Sequence, residues 1–185
     1  MKYVAFLDIL GFKNYLENNN QEQAKKYIAD FSESISSIWH ECNTETLSGL
    51  IVSDSVILYS KDTRVESLRK LVDVIIQICK YEFVNNSILI RGALTKGNFE
   101  RQNPTGEVAL SKELIVGQAY VDAYHLESKI KVAGIIMNGD VYADLTETSF
   151  DESTIEELKD TTESNLYLLK LKCTPCQGQF RFLGV

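Results

Sequence analysis

Residues 3 to 9, Tyr3-Val4-Ala5-Phe6-Leu7-Asp8-Ile9, are apolar almost without interruption, and Leu10-Gly11-Phe12 follow. A short run without alternation predicts a strand buried on both faces, so a carboxylate arrives at the end of a buried strand. From Gln21 to Cys42, Ala24, Tyr27, Ile28, Phe31, Ile35, Ile38 and Trp39 recur at three- and four-residue steps, the period of an amphipathic helix. Gly49-Leu50-Ile51-Val52 and Val56-Ile57-Leu58-Tyr59, joined across Ser53-Asp54-Ser55, read as a hairpin whose tight turn carries one acid. Leu68, Leu71, Val72, Ile75, Ile76, Ile78 and Cys79 form a second helical stripe, expected to end near Val84.

Ile88 to Leu94 predicts the next strand, with Gly97 and Asn103-Pro104-Thr105-Gly106 supplying turn chemistry for a loop or broken hairpin over residues 96 to 116. Gly117 opens a third helix carrying Tyr120, Ala123, Tyr124, Leu126 and Glu127, and Val132 to Met137 is again strand-like. Residues 146 to 164 are polar and acidic, and Leu166 to Leu171 begin a final strand or hairpin. This order predicts an α+β fold: a ferredoxin-like mixed sheet with helices on one face, plus the C-terminal strand or hairpin. No repeat, low-complexity tract or interdomain linker interrupts it, so residues 1–185 are expected to form one domain.

Charge narrows the partners. A formal net charge of -7 and a pI near 4.9 argue against a general nucleic-acid surface, which needs a basic face. No long apolar segment or small-residue cleavage site is found, so neither a signal peptide nor a membrane span is expected, and the chain is placed in the cytoplasm. Of the four cysteines only Cys173 and Cys176 form a CxxC, and without a second pair or a nearby histidine they read as thiols rather than zinc ligands.

The candidate chemistry lies in two acids. In the expected topology the central strands bring Asp8 and Asp54 side by side, where their repulsion would be relieved by Mg²⁺ or Mn²⁺, hard cations that take carboxylate, carbonyl, water and phosphate oxygens. The Ile9 carbonyl is a further candidate ligand. The short helix after Leu10, Gly11 and Phe12 offers N–H groups to phosphate. Taken singly, Asp8 reads as a helix cap and Asp54 as a turn former; the pair together favours metal.

At these residues the chain resembles the class III nucleotide cyclases, over roughly residues 3 to 140. The resemblance is carried by Phe6-Leu7-Asp8-Ile9-Leu10-Gly11-Phe12, the Ser53-Asp54-Ser55 hairpin, Arg91-Gly92-Ala93-Leu94 with Gly97, and Gly117 through Leu126-Glu127. It implies that Asp8 and Asp54 hold two metal ions, and that two protomers pair head to tail with the active site at their interface. It implies cyclisation of a nucleoside triphosphate by attack of the ribose 3′-oxygen on the α-phosphorus, with loss of pyrophosphate.

The departures from the family pattern point to the substrate. The purine-selecting Lys of adenylyl cyclases falls at Leu50 and their base-reading Asp near Leu114. Their ribose-organising Asn and transition-state Arg fall at Val121 and His125, where Val cannot hydrogen-bond and His replaces Arg only in part. Gly117-Gln118-Ala119-Tyr120-Val121-Asp122-Ala123-Tyr124 is similar to the Pycsar-type bacterial pyrimidine cyclases, which make cyclic CMP or cyclic UMP during phage infection. The expected function is therefore conversion of CTP or UTP to its cyclic monophosphate, sensed by a separate effector protein. The alternatives are a degenerate cyclase-like binding or scaffold module, and a purine cyclase with a rearranged pocket.

Further candidate substrate contacts are Arg91, which reads equally as an ion-pair partner, and Lys172 with Lys170, more often solvent-facing strand lysines. Tyr120 and Tyr124 share a helix face and would wall a base pocket, although such residues are more often core. His125 would orient ribose or phosphate, or serve structure alone.

Overall fold

The computed structural model describes residues 1–42, 44–105, 112–148, 150–151, 155–158 and 166–169. Strand β1 (Lys2–Ile9) leads through α1 (Phe12–Asn18) and α2 (Gln21–Glu41) to the hairpin β2 (Leu47–Val52) and β3 (Ser55–Ser60). Helix α3 (Val65–Tyr81), extended by a π-helical turn over Glu82–Asn86, returns the chain to β4 (Ile90–Gly97). The ribbon β5 (Glu100–Thr105) and β6 (Lys112–Val116) precedes α4 (Gln118–Lys129), β7 (Gly134–Asn138), α5 (Gly139–Thr146), β8 (Ile155–Leu158) and β9 (Leu166–Leu169). The main sheet runs β2-β3-β1-β4-β7-β9-β8, antiparallel except for the parallel pair β4 and β7.

The expected α+β class and mixed sheet are what the chain adopts, and β1 sits in the middle of the sheet. Its Tyr3, Ala5, Leu7 and Ile9 face one core with α2, α3 and α5, where Leu68, Leu71, Val72, Ile75 and Ile78 of α3 are fully buried. Each such side chain contributes on the order of 2 kcal/mol by leaving water. Helix α2 starts with a reciprocal cap: the Gln23 amide donates to Asn20 Oδ1 at 2.9 Å, and the Asn20 amide donates to Gln23 Oε1 at 3.0 Å.

The placement of helices on one face holds for α2, α3 and α5, while α4 lies on the opposite face. There Ala119, Ala123 and Leu126 pack on Val4, Phe6 and Ala93. The reason is already in β1: a strand apolar on both faces needs cover on both. Small residues let α4 approach closely, and a Cβ at Gly97 would stand 3.3 Å from that of Ala119. The buried Thr95 hydroxyl donates to the Ala119 carbonyl at 2.7 Å.

Two short elements were not marked by the sequence pattern. The acidic stretch 146 to 164 contains β8, which pairs with β9 at the sheet edge, so part of it belongs to the sheet. Val141 and Leu145 anchor α5, a short helix capped by Asn138 Oδ1, which accepts from the Val141 amide at 3.2 Å. Among the described residues no helix is long and apolar enough to cross a membrane. Lys170, Lys172, Cys173 and Cys176 lie outside the described residues.

Candidate functional site

Side chains alternate along β1, so Asp8 points to the same face as Val4 and Phe6, beneath α4. Because β3 and β4 both run antiparallel to β1, the start of each meets the end of β1: Asp8 lies opposite Ser55 on one side and Arg91 on the other. The Ser55 hydroxyl donates to Asp8 Oδ1 at 3.0 Å, and Arg91 Nη2 stands 3.4 Å from Asp8 Oδ2. Asp54 enters from the turn between β2 and β3, where Ser53 takes a φ of +56° and the Ile9 amide donates to the Asp54 carbonyl at 3.3 Å. The sheet therefore brings Asp8, Ile9 and Asp54 to one end of β1.

The electrostatics are those of a half-buried acid pair. Burial raises the Asp8 pKa above the ordinary carboxylate value, and the charge of Asp54 raises it further, against the opposing effects of Ser55 and Arg91. Such a carboxylate gains from a divalent cation, which removes the repulsion without a proton. Among the described residues no group of three or more His, Cys, Asp or Glu side chains is placed to hold a metal. Two carboxylates still fit Mg²⁺ or Mn²⁺, ions commonly held by one or two carboxylates and completed by water and substrate phosphate.

Arg91 has a second carboxylate partner that the sequence reading did not single out. Its Nε and Glu127 Oε1 form a close ion pair in which neither atom has another hydrogen-bond partner among the described residues, and Nη1 reaches the Ile130 carbonyl at 3.5 Å. Glu127 is only 3% exposed, and burial raises its pKa, with Arg91 acting against that and Asp8 adding to it. A signal was available: Ala119, Ala123, Leu126, Glu127 and Ile130 form one helical stripe in which Glu127 alone is charged. A buried carboxylate on such a stripe requires a cationic partner.

The remaining candidates divide. Tyr120 and Tyr124 both make T-shaped contacts with Phe6, at centroid distances of 6.1 and 5.4 Å, which puts them on the Asp8 face. Tyr124 is half exposed and its ring also contacts His125, which is exposed. Leu50 is half-buried on that same face, across Ile57 from Phe6. In the turn after β1, the Leu10 amide donates to the Leu89 carbonyl at 2.8 Å. This corrects the expected phosphate contact at Leu10, because hydrogen bonding to the segment before β4 already takes its N–H. Gly11 takes a left-handed φ of +86° ahead of α1, and Phe12 turns its ring into the core.

No protein-family model and no curated protein matches the chain. Solved structures do match. The adenylyl cyclase CyaB of P. aeruginosa superimposes with a TM-score of 0.71 at 18% identity, over 99% of this chain and 96% of that one. The guanylate cyclase domain of RhGC from Catenaria anguillulae, in complex with GTP, gives 0.73 at 15% identity over 91% and 95%. The catalytic core of a rhodopsin-guanylyl cyclase with converted specificity, in complex with ATPαS, gives 0.70 at 15% identity over 92% and 95%. The chain thus has the fold of the class III cyclase catalytic domain.

Proposed function

We propose that the chain is a single-domain, metal-dependent nucleotide cyclase that converts CTP or UTP to its 3′,5′-cyclic monophosphate and pyrophosphate. The observation that carries this reading is the convergence of Asp8 and Asp54 at the end of a buried strand, on a fold shared with adenylyl and guanylyl cyclase domains. Asp8, Asp54 and the Ile9 carbonyl would hold the cations. When bound, the two ions lower the pKa of the ribose 3′-hydroxyl and offset charge on the triphosphate. Arg91 turns its Nη edge toward this centre and supplies positive charge near the phosphates. Phe6, Tyr120 and Tyr124 form an aromatic wall beside it, and apolar Leu50 removes the charge by which a purine would be read.

The domain works as a head-to-tail homodimer in this reading. Leu114 and Val116 of β6 and Val121 and Tyr124 of α4 are exposed apolar side chains that a second copy would take out of water. The product would signal to a separate effector protein, in the antiphage role that the sequence resemblance implies.

The test is incubation with each of ATP, GTP, CTP and UTP plus Mn²⁺, followed by chromatography for cyclic monophosphates. A pyrimidine product that disappears in Asp54→Ala is expected. Cyclic AMP or cyclic GMP alone would replace the pyrimidine assignment with a purine one, and no product from an intact dimer would leave a degenerate binding module.

A further inference from the structure

Two carboxylates contend for one guanidinium at this site. Arg91 lies in close ion pairing with Glu127 through Nε, while its Nη2 stops 3.4 Å short of Asp8 Oδ2. A closed guanidinium–carboxylate pair settles at about 2.8 Å, so the contact with Asp8 is an unfinished one. Glu127 stands in the way of its completion: it reaches down from the buried stripe of α4, is almost fully excluded from solvent, and holds the guanidinium together with the Ile130 carbonyl. Asp8 Oδ2 is thereby left with a long contact, and Ser55 takes only Oδ1.

We infer that Glu127 is a positioning residue, a tether that holds Arg91 back from Asp8 so that the Asp8 carboxylate remains open to a divalent cation. The inference rests on the metal reading of Asp8 and Asp54 given above, and adds the residue that keeps the site from neutralising itself. With Glu127 neutral, the carboxylate left to the guanidinium among the described residues is Asp8. Closing a gap of roughly 0.6 Å, the difference between 3.4 Å and a closed pair, would place a fixed cation where the metal must go.

The test uses the full chain and two readouts. Mn²⁺ binding is followed by electron paramagnetic resonance without nucleotide, and the Arg91 Nε–H signal by NMR. Glu127→Gln is expected to weaken Mn²⁺ binding about tenfold, as a neighbouring fixed charge does near a partly buried site. The double variant Glu127→Gln/Arg91→Gln removes tether and guanidinium together and should return the affinity to within about threefold of the parent, a non-additive pattern that general loss of structure does not produce.

The Arg91 Nε–H signal should exchange slowly in the parent and in Asp8→Asn, and rapidly in Glu127→Gln. Parental affinity in Glu127→Gln, a double variant as weak as the single one, or a parent Nε–H that exchanges like a surface arginine would each overturn the tether. A parent that binds no Mn²⁺ would instead overturn the metal reading, and the NMR result then judges the tether alone. If Glu127→Gln fails to fold, the double variant and the parent Nε–H signal decide.

Discussion

Replacing Asp8 by Asn should make the metal-free protein more stable and remove its response to manganese. Asn keeps the shape of the side chain and the oxygen that accepts from the Ser55 hydroxyl at 3.0 Å, so what it deletes is charge. That charge is opposed by burial and by Asp54 and supported by Ser55 and by Arg91 at 3.4 Å. At an effective dielectric of about 20 the Arg91 contact is worth about 5 kcal/mol before desolvation is counted. The raised pKa of Asp8 shows that the opposing effects win.

A carboxyl whose folded pKa is raised binds its proton more tightly in the folded state. Its ionised form therefore costs stability that accrues as pH rises from the unfolded pKa through the folded one, and is constant above. Asp8→Asn should recover on the order of 1 kcal/mol at pH 7, which for a chain of 185 residues is about 3 °C in Tm. Calorimetry in chelator-treated buffer measures it, and the two proteins should converge as pH falls through the carboxylate range. Added Mn²⁺ should raise the Tm of the parent alone. A variant that melts several degrees lower in metal-free buffer would show that Arg91 dominates at Asp8 and would refute the reasoning.

Two further outcomes follow from local geometry. Gly117 has a φ of +148°, and a Cβ there would stand 2.2 Å from the Asn98 carbonyl oxygen. Gly117→Ala should therefore cost at least about 2 kcal/mol in urea unfolding, and a loss below about 0.5 kcal/mol would mean that the start of α4 adapts freely. The Cys79 thiol, pushed up to about 12 by burial and then by Glu82, should resist maleimide until the chain unfolds, whereas half-buried Cys42 should label in the native state; peptide mapping that finds Cys79 modified first would contradict this.

What the sequence made legible follows from the range of the interactions involved. Helices α2 and α3 and strand β1 were readable because each carries its burial pattern within its own residues, at period 3.6 or as an unbroken apolar run. Helix α5 escaped because Val141 and Leu145 make only one turn of pattern. Strand β8 escaped because an edge strand can be specified by backbone pairing while its Glu156 and Glu157 stay exposed. The approach of Asp8 and Asp54 was legible because strand end and hairpin turn are local signals and their meeting follows from strand order. The Arg91–Glu127 pair depends on α4 crossing to the far face of the sheet, which no local period reports, although the isolated charge on the α4 stripe marked one half of it.

The register of the sheet also bears on how one fold can serve different bases. Across the strands, Val52, Ser55, Asp8, Arg91 and Gly134 occupy one rung, and Leu50, Ile57, Phe6, Ala93 and Ile136 the next rung on the same face. The first holds the groups proposed for metal and phosphate; the second holds the apolar surface on which Tyr120 and Tyr124 rest. Leu50 is two strands and two residues removed from Asp8, about 12 Å at ordinary sheet spacings, so exchange of its side chain does not touch the acid pair. In the proposed reading, a sheet built this way allows the rung beside the base to change while the acid rung is kept. The rhodopsin-guanylyl cyclase core with converted specificity shares this fold, and in the proposed reading the present chain carries an apolar rung beside its own pair of aspartates.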